Sequence, residues 1–143
     1  MLYIASDGAG YPLKNQIAIY LYNRGFSFAD MGAENDSPRD YAPVARSVAQ
    51  AVADSGGKDR AILVCGTGAG MSYAANRIRG IRCICCSEPA TARLARLHND
   101  ANILAVGSRI VGAETAYDIV EAFLGTEFSG EERHIRRIAG IEG

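Results

Sequence analysis

A thiol, an imidazole, a carboxylate and several guanidinium groups stand where their neighbours give them chemical scope. The thiol is Cys65, which leads into Gly66, Thr67, Gly68 and Gly70 and then into the helix-like run "MSYAANR". Glycines at that spacing let the chain turn tightly and aim amide N–H groups outward, a seat for an anion at a helix N-terminus. The positive end of such a helix favours a thiolate, which suits Cys65 to act as a base or a nucleophile. The plainer alternative is a small buried residue at a strand end. "GTGAGM" departs from the dinucleotide fingerprint, with Met71 in place of the last glycine. No Gly-Lys-Ser/Thr follows, so it is not a P-loop.

Other candidates lie elsewhere in the chain. Asp7 follows the apolar "LYIAS" and suits a carboxylate that orients hydroxyls, or simply a loop aspartate. His98 is one of two histidines and carries the side chain best suited to proton transfer near neutral pH; otherwise it is a partly exposed histidine near a helix end. Asn99 is placed to bind a hydroxyl or to end a helix in a left-handed conformation. Arg133 and Arg137 are four apart, so a helical tail sets both on one face, as a phosphate clamp or as a solvated basic face. His134 and Arg136 lie between them. Arg109 suits either a substrate contact or an ion pair.

The elements that must position these groups are short apolar runs alternating with stretches of helical period, the pattern of βαβ units. Five strands are expected at Leu2 to Ser6, Phe26 to Met31, Ala61 to Cys65, Ile81 to Cys86 and Asn102 to Gly107. Leu13, Ile17 and Leu21 share one face of a first helix that Gly25 can end. Val44, Val48 and Val52 do the same over Tyr41 to Ser55. Ser87 is expected to cap a helix over Glu88 to His98, and Ala113 to Leu124 reads as another, with Ala116, Ile119, Val120 and Phe123 inward. The expected fold is a Rossmann-like three-layer α/β/α sandwich with a five-stranded parallel sheet and a C-terminal helical tail. In such sheets ligands sit beyond the carboxyl ends of the strands, which here gather Asp7, Cys65, Ser87, Ser108 and Arg109.

With 143 residues, 48% of them hydrophobic, the chain suits a single globular domain over residues 1–143. A net charge of −1 argues against nucleic acid as a partner. No apolar run approaches a membrane span and no leader-like N-terminus is seen, so a cytoplasmic protein is expected. Cys83, Cys85 and Cys86 crowd one apolar run and read as reduced core thiols. No paired metal-ligand spacing occurs, and neither a metal nor another cofactor is expected.

"VCGTGAGMSYAANR", "CSEPATARLARLHNDANILAVGSRIVG", "SDGAGYPLK", the Asp40-Tyr41 pair and the terminal "RHIRRI" together resemble the ribose-5-phosphate isomerase B family over almost the whole chain. The wider family includes galactose-6-phosphate and allose-6-phosphate isomerases, so the resemblance implies an aldose–ketose isomerase acting on a sugar phosphate. It implies Cys65 as the proton-transferring base, His98 in ring opening, and Arg133 and Arg137 on the phosphate; Thr67 then suits a proton shuttle between the two oxygens, and Asp7 a carboxylate that orients hydroxyls or assists ring opening. Gly66, Gly68, Gly70, Gly8, Tyr41, Asn99 and Arg109 then line the substrate. It further implies a homodimer, possibly paired into a tetramer, with shared active sites: Asp7, Cys65 and Thr67 of one subunit face His98, Asn99 and the arginines of the other. The tail, residues 126–143, is expected to pack on that partner. Thr67 has the simpler reading of a hydroxyl that caps the following helix.

The chain departs from the family pattern in three places. Gly8 stands where the family carries histidine, which would vacate space beside the substrate; "DYA" replaces "DYP"; and Glu131 and Glu132 replace a glycine pair ahead of the tail arginines. Ribose 5-phosphate is the expected substrate, with a hexose 6-phosphate as alternative. A noncatalytic sugar-phosphate-binding protein and a thiol hydrolase or redox protein are the competing readings.

Overall fold

The computed structural model describes residues 1–143. Its order is β1 (Leu2–Ser6), α1 (Tyr11–Asn23), β2 (Ala29–Asp30), α2 (Tyr41–Asp54), β3 (Arg60–Cys65), α3 (Ala69–Ala75), β4 (Cys83–Cys85), α4 (Pro89–Asn99), β5 (Ile103–Gly107), α5 (Ala113–Gly125) and α6 (Glu132–Ala139). All strand pairs are parallel, in the order β2-β1-β3-β5-β4. No helix is long and apolar enough to cross a membrane.

Side chains alternate across a strand, so the central strands feed two cores. Ile62 and Val64 join Ile4, Leu104 and Val106 under α1, α4 and α5, where Leu13, Ile17, Leu21, Ile119 and Phe123 are buried. Leu63 and Cys65 face the other way, against Val48 and Val52 of α2 and Met71 of α3. The expected inward faces of α1 and α5 are the buried ones. Three layers result because a strand buried on both sides needs helices on both sides.

Two expected strands are shorter than their apolar runs. Phe26 to Met31 yields only Ala29–Asp30, at the sheet edge, where one partner strand supports it. Ile81 to Cys86 yields only Cys83–Cys85 at the opposite edge. The cap of α4 also differs from expectation: the Glu88 carboxylate, not Ser87, accepts the Thr91 N–H at 2.9 Å.

One polar interaction anchors the chain as it leaves β2. Lys14, 1% exposed, donates to both carboxylate oxygens of Asp30 at 2.9 Å and to the Ala33 carbonyl at 2.5 Å. Ser6 N–H donates to the Gly32 carbonyl and Ala33 N–H to the Ser6 carbonyl, which ties this segment to the residue before Asp7. Lys14→Met should lower stability by about 1–3 kcal/mol, because it strips the buried carbonyl of its donor; the urea midpoint measures it.

Candidate active site

The strand order reverses between β1 and β3, so the loops after them part and leave a crevice. Asp7 and Cys65 stand on its two sides. A cavity of about 290 Å³ is lined there by Asp7, Tyr41, Cys65, Gly66, Thr67, Gly70, Tyr73 and Arg109. A second, of about 330 Å³, shares Asp7 and Arg109 with it and adds Ala9, Asp36, Pro38 and Arg39.

Cys65 is 4% exposed, and its Sγ accepts the Gly68 N–H at 3.2 Å. Gly68 has φ +82°, in the left-handed region, and a Cβ on it would stand 2.9 Å from Cys85 Sγ. The turn therefore closes on the sulfur only with glycine there. Thr67 is exposed, and its Oγ1 accepts the N–H of Ala69, the first residue of α3, at 3.2 Å, while the N-cap position itself is Gly68. The amides of Gly66, Thr67 and Gly70 donate to no protein acceptor, unlike those of Gly68 and Ala69.

Asp7, 8% exposed, accepts the Gly10 N–H on Oδ1 at 2.9 Å, which fixes the carboxylate and caps the entry to α1. The turn after β5 is tied to both neighbours: Ser108 N–H donates to the Cys65 carbonyl at 2.8 Å, Arg109 N–H to the Gly66 carbonyl at 2.9 Å, and Ser108 Oγ to the Ala9 carbonyl at 2.9 Å. Arg109 makes no ion pair within the chain. Tyr41 lies flat against the turn: a Cβ on Gly70 would fall 2.4 Å from its ring. Tyr73 is a further lining residue, 68% exposed, absent from the expected set. Its spacing of three from Gly70 on a helix was the available signal.

Gly8 corrects an expectation. No space is vacated there, because a Cβ would meet Ser37 O at 2.2 Å and Asp36 O at 2.7 Å. The segment that follows β2 fills the position with main chain.

The structure does not bring His98, Asn99, Arg133 and Arg137 to these cavities within one chain. Helix α4 starts at the carboxyl edge of the sheet and runs back for 11 residues, about 16 Å. His98 consequently sits at its far end, half-buried, with its ring 4.8 Å from that of His134. Asn99 remains in the helix; Asp100, at φ 48°, is the left-handed residue that ends it. The tail folds back on α4 through Ser129 N–H to the Leu97 carbonyl, and α6 carries Arg133 and Arg137 exposed. Glu131 pairs with Arg133 at 3.0 Å, and Glu132 is exposed.

Burial pushes the Cys86 thiol up to about 11 and raises Cys83 and Cys85 as well. No group of three or more His, Cys, Asp or Glu side chains is placed to hold a metal ion.

A sequence model of the Ribose/Galactose Isomerase family matches residues 2–141. The chain is 47% identical to ribose-5-phosphate isomerase B of Escherichia coli (strain K12), over 94% of this chain and 89% of that one. It superposes on Clostridium thermocellum ribose-5-phosphate isomerase B with a TM-score of 0.93 at 46% identity, covering 98% of this chain and 93% of that one. Ribose-5-phosphate isomerase B from Mycoplasma genitalium, solved with bound ribulose-5-phosphate, gives a TM-score of 0.92 at 40% identity, with coverage of 98% and 92%.

The tail's attachment should depend on pH. His134 is buried and Ser129 Oγ lies 2.6 Å from its Nδ1. Burial lowers this imidazole below the ordinary histidine value; Glu131 opposes the shift, and Arg133, His98 and Arg137 reinforce it. The folded tail thus binds fewer protons than the unfolded chain. Its stability is full well above about pH 6.5 and declines as the pH falls through that value toward the lowered one. Amide exchange in α6, corrected for intrinsic rate, should be faster at pH 5 than at pH 7, and His134→Gln should flatten the difference.

Proposed function

Since the chain belongs to the ribose/galactose isomerase family and is an aldose–ketose isomerase, we propose that its reaction interconverts ribose 5-phosphate and ribulose 5-phosphate, with Cys65 as the base. The observation that carries this reading is one cavity holding a sulfur, a fixed carboxylate, a free hydroxyl and three unpartnered amides.

In the open-chain aldose, the Cys65 thiolate takes the proton from C2. The C–H electrons form the C1–C2 double bond, and the carbonyl electrons move to O1, whose charge the amides of Gly66, Thr67 and Gly70 stabilise. Thr67 relays the O2 proton to O1. Cys65 then returns its proton to C1, giving a hydroxymethyl group beside a C2 carbonyl. Asp7, held by the Gly10 amide, orients the hydroxyls.

His98 opens the sugar ring, and Arg133 with Arg137 holds the phosphate, each supplied by a second copy of the chain. Two features support the shared site. The return path of α4 carries His98 away from its own Cys65, and His98, His134 and Arg133 already adjoin one another, with Arg133 Nε 3.4 Å from His134 Nε2. A hexose 6-phosphate is the second reading, favoured by the continuation of the cavity past Asp7 and Arg109.

Purified, metal-free protein should convert ribose 5-phosphate to ribulose 5-phosphate, and Cys65→Ala should reduce the rate by roughly 10²–10⁴-fold. No conversion of any pentose or hexose phosphate would favour the binding-protein reading. Cys65→Ala and His98→Ala proteins, unfolded together and refolded in equal amounts, should regain about a quarter of wild-type activity, since half the dimers then hold one intact site. Absence of recovery would contradict the shared site.

A further inference from the structure

The segment between β2 and α2 passes over Gly8 and carries Arg39. It is fixed at both ends. At its start Lys14 and the Ser6 backbone hold Gly32 and Ala33, and at its end Tyr41 packs against Gly70. In between, the carbonyls of Asp36 and Ser37 occupy the space a side chain at position 8 would need. Arg39 consequently lines the cavity of about 330 Å³ together with Arg109, Asp7, Ala9, Asp36 and Pro38. Neither guanidinium lies within 4.0 Å of a carboxylate, and neither donates a hydrogen bond to the protein.

Building on the isomerase reading, we propose that Arg39 is a substrate-binding residue of this chain: with Arg109 it lines the cavity beside Asp7 and holds the phosphate group there from one side, while Arg133 and Arg137 of the second copy close on it from the other, and it thereby sets the sugar length that reaches Cys65.

The chemistry favours phosphate over a neutral hydroxyl chain. Two planar guanidinium forks facing one cavity match the three oxygens of a phosphate monoester, and each fork can bind two oxygens at once. Asp7 and Asp36 in the same lining balance the two positive charges when the cavity is empty, and the Asp7 carboxylate is held toward the Gly10 amide. Arg39 lines one of the two cavities and Cys65 the other, with Asp7 and Arg109 common to both, which gives the phosphate end and the reacting carbons separate seats.

Inorganic phosphate is the probe, with its dissociation constant measured by calorimetry beside the kinetics of ribose 5-phosphate. Arg39→Gln should weaken phosphate binding about tenfold and raise KM by a similar factor, with a smaller effect on kcat. Arg39→Lys should recover part of the loss, because it restores charge without the fork. Arg46→Gln, an exposed arginine of α2 outside the cavity, controls for bulk charge and should leave phosphate binding unchanged. The proposal is overturned by equal phosphate affinity in the wild type and Arg39→Gln, by an equal loss in Arg46→Gln, or by no phosphate binding to the wild type. Phosphate binding that depends on Arg39, in a protein that isomerises no sugar phosphate, would instead sink the isomerase reading and keep the anion seat.

Discussion

The shared direction of the five strands decides where each reactive side chain can go. Because every strand ends at the same edge, the residues just beyond β1, β3 and β5 converge: Asp7, Cys65 to Gly70, and Ser108 with Arg109. Every helix then has to run back, and whatever stands at its far end is carried to the opposite edge. Cys65 and His98 obey the two halves of that rule. Chain direction separates His98 from its own Cys65 before any property of histidine is considered.

Burial makes the arrangement rigid. Ala61 to Val64 are fully buried and Cys65 nearly so, with the two faces of β3 packed into different cores. Each fully buried Ile, Leu or Val contributes about 1.5–3 kcal/mol, so the sulfur stands at the end of one of the best supported strands in the chain. Above it the site is made of loops tied by main-chain hydrogen bonds, from Ser108 and Arg109 to Cys65 and Gly66. Their closeness depends on missing side chains: Gly68 clears Cys85 Sγ, and Gly70 admits the Tyr41 ring.

Much of this was legible in the residues. The central strands β1, β3 and β5 and the inward faces of α1 and α5 follow from apolar spacing, because burial on both sides leaves a continuous signal. The edge strands were overextended because an apolar run does not reveal how many partners it will have. Ser87 was expected to cap α4 from residue type alone, whereas Glu88 reaches the Thr91 amide with its longer side chain. Asp7, Cys65, Thr67 and Arg109 meet as their strand ends imply, Tyr41 joins them from the start of α2, and Ser87 does not line the cavity. Arg39 carries no such signal, since its place depends on the path of one loop, and Tyr73 carries only its spacing of three from Gly70 on a short helix. The filled space over Gly8 was equally hidden: a glycine in a sequence looks like an absence, and here it marks the passage of another part of the chain.

The account rests on Cys65 moving a carbon-bound proton. The most direct measurement is deuterium incorporation at C2 of ribose 5-phosphate and C1 of ribulose 5-phosphate in D2O, for the wild type and Cys65→Ala, with ribose 5-phosphate binding by both proteins confirmed by calorimetry. The account predicts exchange by the wild type and its loss in the variant while binding persists. Exchange at an undiminished rate in Cys65→Ala would contradict it and move the base to another residue of the cleft.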